Sequence, residues 1–80
     1  MKVTLLFFGV TTDLVGMTQT EFETSEGLTV SKFKTKLQEV YPSLAHIESY
    51  AIAVNESYAS DDLTLKPNDI VAIIPPVSGG

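Results

Sequence analysis

Eighty residues carrying a net charge of −5 make one small acidic domain, a poor partner for a nucleic-acid backbone. The chain has no cysteine, which removes disulfides, thiolate catalysis and zinc–thiolate sites together. An apolar fraction of 44% supports a core, while no apolar run reaches the length of a membrane span.

Residues 2–9, "KVTLLFFG", alternate as a strand. Val3, Leu5 and Phe7 share one face; Thr4, Leu6 and Phe8 share the other. Both faces are largely apolar, so the strand is central or covered twice. The same alternation accounts for the apolar start better than a secretion signal does, and a cytoplasmic location is expected. Residues 10–16, "VTTDLVG", hold a short helical turn ending at Gly16. Residues 17–24, "MTQTEFET", alternate weakly and suit a strand that hairpins onto the first.

The clearest helix follows. Thr29 is its N-cap, and Val30, Phe33, Leu37 and Val40 recur at helical spacing as one buried stripe. Pro42 stops it, because the residue before a proline avoids the α region. Lys32, Lys34 and Lys36 read as a solvated helix face rather than a nucleic-acid patch. His46 has no second ligand at useful spacing, so it reads as a structural or solvated histidine and no metal site is expected. "AIAVN", residues 51–55, is a strand, with a turn beginning at Asn55-Glu56. "SYAS" is a short edge strand, and residues 61–69 are a polar connection with a Pro67-Asn68 turn. "IVAIIPP" is the last strand, apolar on both faces and ended by its prolines.

The order β, β, α, β, short β, β predicts an α+β domain with one main helix packed on one face of a mixed sheet. The first and last strands are its most apolar and form the expected central pair. This is the layout of the ubiquitin-like β-grasp. Residues 1–76 would form the domain and residues 77–80 a flexible C-terminal tail. Leu6 and Phe8 share one parity on the first strand, and Ile70, Ala72 and Ile74 share one on the last; whichever parity faces the helix, the opposite one remains an apolar face. It is either a binding surface or a face covered by loops.

The end, "IIPPVSGG", is composed for reach and thinness. Pro75 and Pro76 stiffen the exit from the sheet, and six residues from Pro75 span at most about 20 Å. Val77 and Ser78 are small, and Gly79 and Gly80 have no Cβ to catch in a narrow channel. The terminal carboxylate is the one usable reactive group, since the Ser78 hydroxyl has no base nearby in sequence. A free carboxylate is a poor electrophile; conversion by ATP to an acyl-adenylate makes it reactive toward a thiol, persulfide or amine.

"LFFG…DLVG", "AVN" and above all "DIVAIIPPVSGG" resemble the sulfur-carrier family that includes ThiS and the molybdopterin synthase small subunits (MoaD), from residue 2 to residue 80. The resemblance implies that Gly80 is adenylated by a ubiquitin-activating-like adenylyltransferase (MoeB-like) using ATP, then converted to a thiocarboxylate. It implies that a molybdopterin synthase large subunit (MoaE-like) accepts the tail, residues Pro75, Pro76, Val77, Ser78 and Gly79, and passes sulfur to cyclic pyranopterin monophosphate. Two rounds would make the dithiolene that holds molybdenum. It further implies that Phe8, Tyr58 and Ile74 contact the large subunit. A phosphorylated substrate needs cationic groups, and this acidic chain offers none on its tail. The catalytic pocket is therefore expected on the partner, and no cofactor on this chain. Thr12 stands where relatives commonly have arginine, and Asn68-Asp69 where they have Gly-Asp. Two alternatives use the same activated Gly80: a protein modifier joined to lysines, and a thiamin-type sulfur carrier.

Overall fold

The computed structural model describes residues 1–46 and 50–76. Alternation in β1 (Lys2–Phe7) buries Val3, Leu5 and Phe7. A six-residue helix, α1 (Val10–Val15), ends where Gly16 takes φ 80° and its N–H bonds to the Thr12 carbonyl at 2.8 Å. The next strand, β2 (Gln19–Glu23), pairs antiparallel with β1 and places Phe22 opposite Val3. Thr29 then caps α2 (Val30–Val40), accepting the Lys32 N–H at 3.4 Å. A 3₁₀ turn, Pro42–His46, follows. Three strands complete the sheet: β3 (Ala51–Val54), β4 (Ser57–Tyr58) and β5 (Ile70–Ile74).

The strand order is β2-β1-β5-β3-β4. First and last strands are neighbours, as their double apolarity predicts, and they run parallel. β5 also pairs antiparallel with β3, so the sheet is mixed. Asn55 and Glu56 take φ 51° and 73°, the left-handed pair that a two-residue hairpin between β3 and β4 demands. Asn68, at φ 70°, occupies the position where glycine would be unstrained. The core lies between α2 and one sheet face. Phe33, Leu37, Leu5, Ile52, Val71 and Ile73 are all fully buried there. Phe22 meets Phe33 edge-on at 5.6 Å. A mixed sheet over one principal helix is the ubiquitin-like β-grasp. No helix among the described residues is long and apolar enough to cross a membrane.

Three expectations are corrected. Val40 does not belong to the buried stripe: it is exposed, because the contact passes to Tyr41, which meets Phe7 edge-on at 5.7 Å, and to buried Leu44 in the 3₁₀ turn. β1 ends at Phe7, two residues short of the expected boundary. The 61–69 segment is more than a polar connection. Thr64 bridges Thr29, and the Leu65 N–H bonds the Leu28 carbonyl at 2.8 Å with both leucines buried. Buried Asp69 accepts from Asn55 Nδ2 at 3.0 Å and from the Lys66 N–H at 2.8 Å, which ties the start of β5 to the β3–β4 turn. Of the three clustered lysines, Lys34 pairs with Asp61 at 3.2 Å while Lys32 and Lys36 are exposed. The His46 side chain lies outside the described part of the chain.

Candidate functional site

The sheet face away from α2 is open. Its centre is one row of cross-strand partners: Leu6 beside Ala72, Ala72 beside Ala53, Ala53 beside Tyr58. Two alanines in the middle of that row make a low floor. Leu6 and Phe8 rise on one side, Tyr58 on the other, with Ile70 and Ile74 along the strand between. The result is a groove of about 400 Å³. Tyr58 is 76% exposed, Phe8 48% and Ile70 46%. Loops among the described residues therefore do not cover this face, and the apolar parity set is a surface. Glu56 is the one charged residue among those lining it.

Phe8 just past β1, Tyr58 on β4 and Ile74 on β5 thus stand on one face. β5 carries Ile74 to the edge of the groove, and Pro75 follows half-buried and Pro76 exposed. Val77, Ser78, Gly79 and Gly80 lie outside the described residues, as does the division between domain and tail expected there.

The exit from β5 has a neighbour that sequence reasoning missed. In the turn between β1 and α1, Gly9 takes φ 53° and ψ −133°, a backbone conformation open essentially to glycine. A Cβ placed on Gly9 would stand 3.1 Å from Pro75 Cγ. Thr11, fully buried, holds the same turn: its Oγ1 accepts the Phe8 N–H at 2.9 Å. Thr12 Oγ1 donates to the Phe7 carbonyl at 3.1 Å. The only local signal in sequence was a glycine between an aromatic pair and a helix start.

The family model described as ThiS family matches residues 5–80. A molybdopterin synthase sulfur carrier subunit of Arabidopsis thaliana is 32% identical over 81 residues, spanning 100% of this chain and 84% of that protein. Its counterpart in Aedes aegypti is 36% identical over 88 residues, spanning 100% and 90%. Among solved structures, the complex of subunits 1 and 2 of molybdopterin-converting factor from Helicobacter pylori holds a chain with TM-score 0.71 and 26% identity, each chain covered fully at 100%. SAMP1 from Haloferax volcanii has TM-score 0.86 at 19% identity, with 100% of each chain covered. At that identity it speaks to the fold alone.

Proposed function

The chain belongs to the ThiS family, and from that membership we propose that it is a sulfur carrier, the small subunit of a molybdopterin synthase. The observation that carries this reading is the reach of the family match, which runs through residue 80 and so takes in the Gly79-Gly80 terminus. Full-length relatives named as molybdopterin synthase sulfur carrier subunits support it.

The chemistry follows from the terminus. The Gly80 carboxylate attacks ATP on an activating adenylyltransferase, pyrophosphate leaves, and an acyl-adenylate forms. Sulfide then displaces AMP to leave a C-terminal thiocarboxylate; where a persulfide attacks instead, a second thiol cleaves the S–S bond of the acyl persulfide, leaving the thiocarboxylate and a disulfide. The body docks through the apolar groove of Phe8, Tyr58 and Ile74, while the tail, from Pro75 and Pro76 through Val77, Ser78 and Gly79, enters the large subunit. The pocket for a phosphorylated pterin belongs to that partner, because the groove here is lined by apolar residues and one glutamate.

Intact mass after incubation with the activating enzyme, ATP and a sulfur source tests this. One oxygen should be replaced by sulfur, and fragmentation should place the change at Gly80. Modification at Ser78 or at a lysine, or isopeptide conjugates formed without any thiocarboxylate, would overturn the reading.

A further inference from the structure

We infer that Thr11 is a positioning residue for the tail: its hydroxyl fixes the Phe8–Thr11 turn so that Gly9 backs onto Pro75 and sets the heading of the chain as it leaves β5. The inference deepens the sulfur-carrier reading and rests on it for the catalytic consequence.

A fully buried hydroxyl needs partners. Thr11 Oγ1 accepts the Phe8 N–H at 2.9 Å and donates its one hydrogen to the Phe8 carbonyl, with the Ile73 carbonyl at the longer 3.4 Å. The turn is tied further by Thr11 N–H to the Phe8 carbonyl at 3.1 Å and Thr12 N–H to the Gly9 carbonyl at 3.0 Å. Apart from the long contact to Ile73, each of these bonds closes on Phe8 or Gly9. Gly9 thereby becomes a fixed wall. The absence of a side chain lets it approach the Pro75 ring as closely as it does.

A proline held at its ring is held in direction too, because its own φ is locked. Its direction sets where the chain beyond the sheet begins. A displacement of even about 1 Å can cost about 100-fold in rate where geometry must be met. A turn distant from the reacting carboxylate can therefore govern its delivery.

Thr11→Val keeps the shape and removes the hydroxyl; Thr11→Ser keeps the hydroxyl. Three readouts separate positioning from plain stability. First, in the isolated chain, the nuclear Overhauser contact between Gly9 Hα and the Pro75 ring protons should weaken in Thr11→Val and persist in Thr11→Ser. Second, affinity for the large subunit should fall by a smaller factor than the transfer rate, since Thr11 bonds the Phe8 backbone but does not itself line the groove. Third, the single-turnover rate of sulfur transfer in the saturated complex should fall about tenfold or more in Thr11→Val and return in Thr11→Ser. Where Thr11→Val does not fold, Thr11→Ala removes the same hydroxyl without burying an extra methyl and carries the test, with Thr11→Ser again as its rescue.

A lower melting temperature with an unchanged rate per folded molecule would make Thr11 purely structural and overturn the inference. So would weaker docking at an unchanged saturated rate, which would place the effect on the Phe8 side chain. A parent chain that forms no thiocarboxylate at all would instead overturn the sulfur-carrier reading, and the contact between Gly9 and Pro75 would still be read directly in the isolated chain.

Discussion

Phe8 sits one position past β1, where the alternation that buries Phe7 turns its ring outward. Truncating it removes no core contact on the scale of a buried aromatic, which would cost ~3–5 kcal/mol of folding stability. At a docking surface, an aromatic anchor typically contributes more than ~2 kcal/mol of binding. Phe8→Ala should therefore weaken the complex with the large subunit, read by titration calorimetry, while the melting temperature of the isolated chain barely moves. A large melting shift with normal binding would place the partner face elsewhere. The glycines at the tip make the opposite kind of residue argument. Gly80→Ala and Gly79→Val lie beyond the last strand, so folding should be unchanged in both. A channel shaped for backbone has no room for Cβ, so sulfur transfer should drop sharply in both, and full activity in either would make the glycines incidental. Parity alone grouped Phe8 with Ile74, but it did not say which parity faces the helix; burial decides that. The approach of Gly9 to Pro75 left only a lone glycine in the sequence, because the contact itself exists only once β1 and β5 lie side by side.

At the scale of elements, α2 was legible because its period is carried by Val30, Phe33 and Leu37, all fully buried. Its last turn was not. Periodicity extends a stripe in a straight line, whereas the packing passes to Tyr41 and then to Leu44 beyond Pro42. The two ends of the stripe should consequently respond differently to the same truncation. Leu37→Ala should cost about 2–5 kcal/mol in urea unfolding, and Val40→Ala should stay within about 0.5 kcal/mol. Equal losses would mean that Val40 is packed after all. The Asn55-Glu56 turn was legible from residue type, since both positions take positive φ and the sequence supplies asparagine at the first. Leu28, Leu44 and Leu65 were not legible as core. Each is a single apolar residue in an irregular segment, where no period exists to assign a face. The bond from Leu65 N–H to the Leu28 carbonyl, which brings two such segments together, is a long-range consequence of the sheet closing over α2.

At the scale of the whole molecule, two surfaces of different character coexist. The net charge is −5, yet the groove is lined by apolar residues with Glu56 alone among charged ones. These features act on different steps of association. Dispersed charge acts at a distance and speeds encounter with a partner of opposite sign. Apolar contact acts only after docking and sets how long the complex lasts. Under the sulfur-carrier reading the pterin substrate is phosphorylated, and a large subunit that holds it would carry cationic groups. Raising salt shortens the screening length from about 10 Å at 0.1 M to about 3 Å at 1 M. The association rate with the large subunit should therefore fall roughly tenfold between low and high salt. The dissociation rate should change little, because burying apolar area is not screened. Stopped-flow mixing followed by displacement measures the two separately. An association rate indifferent to salt would remove charge steering from the account. A dissociation rate that rises steeply with salt would mean that ion pairs, rather than the Phe8–Tyr58 groove, hold the two chains together.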